Sequence, residues 1–254
     1  MVDIHSHILW GIDDGAKTLE ESVAMVKLAA AAGTTDIVAT PHANPQYVFD
    51  PAVIRERVEE LRAACGNVPV IHHGCDFHLQ YENIQDALRN PKKYTINHLG
   101  YLMVEFSDFA ISNTMEGILN HLRDAGMTPV ITHPERNPIF QNKPKQLAPW
   151  VENGCLVQVT AHSLLGLFGR KARDFAWELM EQNMAHFVAS DAHDCEYRHP
   201  RLDEAYRAVA DRFDEGKARR LLVENPTAVI RGEFLPWTEE PVETKSRKWY
   251  AFWK

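Results

Sequence analysis

Histidines and carboxylates stand at or just after apolar segments in this chain of 254 residues. The first segment contains His5 and His7, and a later one is followed by Asp191 and His193. Imidazole and carboxylate ligands without thiolates favour Mn, Fe, Zn or Co over a structural cysteine–zinc site. The candidate metal ligands are His5, His7, one of the adjacent pair Asp13 and Asp14, and His42, Asp76, Glu105, His133, Asp191 and His193. So many ligands predict a site for two or three divalent metal ions.

Each of these residues has an ordinary interpretation when it is taken alone. A single histidine is usually a packed or hydrogen-bonded residue, and Asp76 or Glu105 could simply cap a helix. Their shared position at strand ends changes the interpretation, because the carboxyl ends of parallel barrel strands meet at one rim. Carboxylates that face each other there repel unless a cation lies between them. The pattern therefore predicts a multinuclear metal centre.

Two arginines accompany the candidate ligands. Arg136 follows His133 by three residues, and Arg198 follows His193 by five. A guanidinium is a planar, permanent cation that suits phosphate oxygens, and clustered divalent ions can hold a phosphoryl group. The alternative is a surface ion pair of Arg136 with Glu135, or of Arg198 with Glu196. We predict phosphate binding for both arginines, with His42 or His193 as candidates to assist proton transfer; the spacing assigns no general acid.

Strands that alternate with helices must position these groups. Capping residues mark two helix starts, Thr18 with Glu21 at the third helical position and Asp50 before Pro51. Short apolar runs predict strands near 1–5, 36–40, 68–75, 101–106, 128–132, 155–160 and 185–190, and further helices are predicted near 114–125, 143–153, 170–183, 201–212 and 215–224. Strands without polar alternation favour a parallel sheet covered by helices. Because no GxGxxG follows the first strand, a distorted (β/α)7 TIM-like barrel fits better than a doubly wound sheet.

Amino-acid composition argues against several classes of protein. There are 27 Lys and Arg against 35 Asp and Glu, a net charge of −8, so we expect no nucleic-acid partner. The four cysteines contain no CxxC pair, and no targeting or membrane-spanning segment is visible, which predicts a cytoplasmic protein. We divide the chain into a domain at 1–235 and a tail at 236–254, whose rings and basic residues predict contact with a membrane surface, a partner, its own barrel or a homo-oligomer.

The combined motifs resemble a known family. DIHSHILWGIDDGAKTLEES, THPERN and SDAHD are similar to the polymerase-and-histidinol-phosphatase (PHP) superfamily, and within it to the capsular and exopolysaccharide CpsB/CapC phosphatases. The resemblance implies a PHP fold with three metal ions, commonly manganese. It implies one site at His5, His7, Asp76 and Asp191, a second at Asp76, Glu105 and His133, and a third at Asp14, His42 and His193 with Asp191 shared. The family pattern has Gly-x-Glu where this chain has Gly74-Cys75-Asp76, so the shorter Asp76 leaves two or three ions open.

The same resemblance implies hydrolysis of phosphotyrosine on the tail of a membrane-associated tyrosine kinase that controls polysaccharide export. One alternative is a PHP-type phosphoesterase acting on a small molecule such as histidinol phosphate, or a metallo-nuclease. Another is a binding protein without catalysis. The run from Cys195 to Arg201 also fits C-x5-R, the skeleton of cysteine-dependent phosphatases, but Pro200 removes a backbone donor and Asp194 disfavours a thiolate. We therefore expect catalysis by metals and not by a thiol.

Overall fold

The computed structural model describes residues 1–66, 69–236 and 241. Its strands are Val2–Ser6 (β1), Asp36–Ala39 (β2), His42–Ala43 (β3), Val70–His73 (β4), Asp76–His78 (β5), Tyr101–Glu105 (β6), Thr128–Thr132 (β7), Leu156–Thr160 (β8) and Phe187–Ala189 (β9). Its helices are Leu19–Ala31 (α1), Pro51–Cys65 (α2), Tyr81–Arg89 (α3), Met115–Asp124 (α4), Pro138–Asn142 (α5), Leu147–Glu152 (α6), Ala161–Leu165 (α7), Gly169–Glu181 (α8), Asp203–Arg212 (α9), Glu215–Arg219 (α10) and Asn225–Arg231 (α11). Two 3₁₀ turns, Ile96–His98 and Pro144–Gln146, and a π-helical turn, Arg220–Glu224, complete the set.

All strand pairs are parallel, in the orders β1-β2-β4 and β3-β5-β6-β7-β8-β9. The circle closes where the Asp191 N–H donates to the His5 carbonyl at 2.8 Å and the His7 N–H donates to the Ala192 carbonyl at 2.8 Å. Val2, Ile4, Val38, Met103 and Val130 are buried together with Phe187 in one apolar cluster. The predicted parallel α/β architecture, with strands inside and helices outside, is confirmed.

The distortion arises after the second and third predicted strands, each of which is followed by a short strand that was not predicted, β3 and β5. Pro41 separates β2 from β3, and Gly74 with Cys75 separates β4 from β5. Backbone hydrogen bonds still cross the break, from Gly74 N–H to the Ala39 carbonyl and from Asp76 N–H to the Pro41 carbonyl. A Cβ atom on Gly74 would lie only 3.0 Å from the Ile96 side chain, so a larger residue at this crowded bend would have to displace its neighbours.

Both predicted caps are present, since Thr18 accepts from the Glu21 N–H and Asp50 from the Ala52 N–H. The predictions near 143–153 and 215–224 were too long, because part of each range forms 3₁₀ or π-helical turns. Short helices α5, α7 and α11 were not predicted; five to seven residues carry too little hydrophobic periodicity. The tail at 237–254, apart from 241, lies outside the described residues, so the boundary near 235 stays a prediction. Within the described residues, no helix is long and apolar enough to cross a membrane.

Candidate metal centre

The nine predicted ligands come together at the carboxyl ends of the strands. Donor atoms of seven of them form three groups, each within 4.8 Å: His7, Asp14, His42 and His193; His5, His7 and Asp76; and His42, Asp76 and Glu105. Asp191 borders these groups, with Oδ1 at 3.5 Å from Nε2 of both His5 and His7. The grouping differs from the sites that the resemblance implies, because His7 also joins the group of Asp14, Asp191 is in none of the three groups, and His42 is the imidazole grouped with Glu105. His133 lies further out, with its Nε2 3.8 Å from Glu105 Oε1.

Hydrogen bonds on the far side of two histidine rings orient them. His5 Nδ1 donates to Gln158 Oε1 at 2.9 Å, and His7 Nδ1 donates to Asp13 Oδ2 at 2.7 Å. Each bond leaves the opposite nitrogen, Nε2, facing the other ligands; the two Nε2 atoms are 3.4 Å apart. This is the usual arrangement of metal-binding histidines, whose outer nitrogen is held by a carboxylate or carbonyl oxygen.

Sequence reasoning gave neither Asp13 nor Gln158 a role in orienting the ligands. Asp13 also accepts from the backbone N–H groups of His42 and Gly15, so one carboxylate connects the loop after β1 to the start of β3. Gln158 is fully buried in the middle of β8. A buried amide in an otherwise apolar strand was a signal available in the sequence, whereas nothing there distinguishes Asp13 from Asp14.

Asp76 occupies the centre of the cluster. Its side chain has no exposed surface, and within the described residues neither of its oxygens has a hydrogen-bond partner. His42 Nδ1 is likewise buried without one, 3.2 Å from Asp76 Oδ2. Buried polar atoms are almost always satisfied, so these orphaned atoms fit a group that accepts their lone pairs. The residues present therefore suit divalent cations, and Asp76 belongs to two of the three groups despite its short side chain.

The electrostatics favour positive charge within the cluster. Burial opposes the charged form of His42, but Asp14, Asp76 and Glu105 outweigh burial and raise its pKa to about 11. Burial raises the pKa of Asp76, but His5 and His42 outweigh burial and hold this pKa well below its ordinary range. Ionised carboxylates in a buried cavity supply the field in which a divalent cation is stable.

Asp191 connects the cluster to the two arginines. Its Oδ1 faces the imidazoles, whereas its Oδ2 accepts from Arg136 Nη1 and, at 2.6 Å, from Arg198 Nη2. Burial raises the pKa of Asp191, but Arg136 and His5 more than compensate and hold it well below its usual range. The ring of Phe168, another residue that sequence reasoning missed, lies 4.3 Å from Arg136 Cζ and 5.9 Å from Arg198 Cζ.

The alternative ion pairs considered for the arginines do not form. Both guanidiniums pair with Asp191, and fully buried Glu135 instead accepts from Ser163 Oγ at 2.6 Å and from the Thr160 N–H at 3.0 Å. Glu135 thereby anchors the loop that carries His133 and Arg136 to the start of α7. A cavity of about 130 Å³ opens beside this loop, lined by His133, Arg136 and neighbouring residues.

The Cys195 loop lacks the features of a cysteine phosphatase. The Asp194 carboxylate accepts from the backbone N–H groups of Glu196, Tyr197 and Arg198, the donors that such a loop would direct at phosphate. Burial and nearby carboxylates raise the pKa of the Cys195 thiol, which disfavours a thiolate. Arg201 is bound to Asp203.

Comparison with known proteins agrees with this geometry. The profile of the capsular polysaccharide synthesis family CpsB/CapC matches residues 1–231. The chain belongs to the CpsB/CapC family. Tyrosine-protein phosphatase YwqE of Bacillus subtilis is 33% identical over 256 residues, which cover 99% of this chain and all of YwqE. The putative tyrosine-protein phosphatase CapC of Staphylococcus aureus is 31% identical and covers 99% of both chains.

A solved CpsB/CapC structure has the same fold. It comes from crystallographic work on YwqE of Bacillus subtilis and CpsB of Streptococcus pneumoniae, described as metal-dependent tyrosine phosphatases. It superposes with a TM-score of 0.86 at 32% identity, covering 96% of this chain and all of the matched one. The predicted membership of the family is thus confirmed.

Proposed function

We propose that this chain is a metal-dependent protein-tyrosine phosphatase, a phosphoric monoester hydrolase acting on phosphotyrosine. The observation that carries the proposal is Asp191, whose two oxygens join a cluster of imidazoles and carboxylates to a pair of guanidiniums. A cation-binding cluster beside two permanent cations fits a phosphoryl dianion. The names of the CpsB/CapC relatives support the same activity.

The predicted ligands would hold two or three divalent ions, with Asp76 shared between sites, and Mn²⁺ is the metal we propose before Fe, Zn or Co. When bound, such ions act as Lewis acids that lower the pKa of water and offset phosphoryl charge. Arg136 and Arg198 bind the phosphoryl oxygens, and Asp191 keeps both guanidiniums at the edge of the cluster. His193 Nδ1 donates to the Asp191 carbonyl at 3.0 Å, which leaves its Nε2 facing Asp14. A phenolate leaving group, with a pKa near 10, needs less proton assistance than an alkoxide.

We further propose that the substrate is the phosphotyrosine tail of a membrane-associated kinase in capsule or exopolysaccharide synthesis, and that the enzyme acts in the cytoplasm. Family membership supports the first statement, and four free cysteines suit the second. The tail at 236–254 would contact the membrane, the partner or a second copy of the chain. Nucleic acid is not an expected partner.

A side-by-side assay tests this function. Purified protein is given a phosphotyrosine peptide, histidinol phosphate or single-stranded DNA, each with Mn²⁺ and with chelator. We expect turnover of the peptide to depend on Mn²⁺, to stop on chelation and to exceed that of the other two substrates. Faster turnover of histidinol phosphate or DNA, or peptide turnover that survives chelation, would contradict the proposal.

A further inference from the structure

A second cavity, of about 300 Å³, lies between α2 and the turn Ile96–His98. Ile71 of β4 packs with Ile54 and Val58 of α2, so this side of β4 faces the outer helix. His73, two residues further along the strand, faces the same side and lines the cavity. The candidate metal ligands do not line it, so it is separate from the centre described above.

Cationic side chains outnumber acidic ones in the lining. Arg55, Arg62, Lys93 and two imidazoles, His73 and His98, surround the cavity, and Glu59 is the acidic residue among those described as lining it. Arg62 is fixed in place by donating to the Ile71 carbonyl through Nε at 2.9 Å and also through Nη2. Lys93 is paired with Asp86 at 2.7 Å.

Arg55 is the cation that remains available. Its side chain is exposed and has no hydrogen-bond or ion-pair partner within the described residues. A free guanidinium beside an anchored one offers planar donors to the oxygens of an anion.

Two local features indicate that the cavity is built for a ligand. His73 Nε2 is buried and, among the described residues, has no hydrogen-bond partner, although its ring lies 4.4 Å from that of His98. Asn97 and His98 both have positive φ, 51° and 60°, which consecutive residues with side chains rarely adopt. Unsatisfied buried atoms and backbone strain of this kind concentrate at binding sites.

Part of the lining is apolar. Phe49, Ile54 and Val58 line the cavity, and the Phe49 ring contacts Tyr94 at 5.0 Å between centroids. A lining that combines apolar side chains with a few convergent polar groups is typical of a small-molecule site. We propose that this cavity binds a small organic phosphate carrying a ring, of the class of nucleoside diphosphates, with its ring against the apolar side chains and its phosphates at Arg55 and Arg62.

Isothermal titration of the full chain, loaded with Mn²⁺, tests the proposal. The probe is adenosine 5′-(α,β-methylene)diphosphate, whose methylene link resists hydrolysis; adenosine and inorganic phosphate are titrated separately. We expect the probe to bind at one site beyond the catalytic centre and at least tenfold more tightly than either fragment. Arg55→Glu should weaken that binding at least tenfold and leave turnover of a phosphotyrosine peptide unchanged.

The matched control is Arg57→Glu, the same charge change two residues along α2. Arg57 bonds Glu60 at 3.0 Å and lies over the Trp10 ring, away from the cavity, so its replacement should change probe affinity less than twofold. Arg136→Ala should likewise leave this binding intact. Binding that is lost in Arg136→Ala but kept in Arg55→Glu would place the probe at the catalytic centre and overturn the proposal. Absence of binding at millimolar probe, or equal binding of adenosine, would overturn it as well.

Discussion

Two groups of histidines in this molecule have opposite surroundings. At the rim, His5, His7, His42 and His193 lie within 3.2–3.6 Å of carboxylate oxygens of Asp14, Asp76, Glu105 and Asp191. In the outer cavity, His73 and His98 lie beside arginines and a lysine. Burial, His98 and Arg62 lower the pKa of His73 to about 4, whereas carboxylates raise that of His42 to about 11. The carboxylates around the rim histidines suit cations, and the arginines and lysine around the outer pair suit anions.

The strongest test of the rim is removal of its central carboxylate. Asp76→Ala should lose at least one metal ion per chain and lower kcat/KM for a phosphotyrosine peptide by about 10³-fold, ~4 kcal/mol, because two ligand groups lose their shared oxygens. Metal analysis and steady-state kinetics provide the measurements. Cys195→Ser is the control and should retain most of the activity. Full metal occupancy in Asp76→Ala, or an inactive but metal-loaded Cys195→Ser, would refute the assignment.

His186 belongs to neither group of histidines, and it tests the effect of burial alone on the pKa of an imidazole. His186 is 5% exposed, its Nδ1 accepts from the Val157 N–H at 3.1 Å, and burial lowers its pKa to about 4. Between pH 6.5 and pH 4, His186 is protonated in the unfolded chain and neutral in the folded chain. The neutral, buried His186 therefore contributes to the free energy of unfolding above pH 6.5, and this contribution is lost as the pH falls towards 4. The loss is about 3 kcal/mol over the whole window.

Urea unfolding of His186→Gln and wild type at pH 7.5 and pH 4.5 measures that loss. The variant should lose less stability on acidification than the wild type does. His121→Gln, which removes an exposed imidazole of α4, should follow the wild type. Parallel losses in His186→Gln and wild type would show that His186 does not resist protonation.

Replacement of the two arginines tests how the rim binds the phosphoryl group of the substrate. Arg136→Ala or Arg198→Ala should lower kcat/KM well over tenfold, more than ~1.4 kcal/mol, because each substitution removes a guanidinium that donates hydrogen bonds to the phosphoryl oxygens. The Tm should change little, since both side chains are about one quarter exposed. Kinetics close to wild type in both variants would contradict phosphate binding.

The smallest expected effect belongs to Phe168, which contacts both guanidiniums. Phe168→Ala should raise KM for a phosphotyrosine peptide several-fold and leave the metal content unchanged, because a cation–π contact at a partly exposed site contributes about 0.5–1 kcal/mol. Phe168→Tyr, which keeps the ring face, should restore KM. Equal KM values in the alanine and tyrosine variants would show that the ring does not position the arginines.

Much of the fold and of the candidate site was predictable because both follow from patterns among residues that are close together in the sequence. Helix caps, short apolar strands and polar residues at strand ends each depend on a few neighbouring positions, and barrel topology brings the nine candidates to one rim. The bonds of His5 with Gln158 and of Arg136 with Asp191 join residues 153 and 55 positions apart. Such partners depend on packing, as do the bend at Gly74 and the anchoring of Glu135, so no local pattern identified them.

The closure of the barrel also sets the order in which the site is completed. His5 and His7 leave the ribosome first, yet the backbone partners of this segment, Asp191 and Ala192, are nearly two hundred residues away. At ordinary synthesis rates the second set follows roughly 10 to 40 seconds later. Until then β1 has one neighbour, β2, and the centre lacks Asp191 and His193. Assembly of the centre is thus a late event in the synthesis of each new chain.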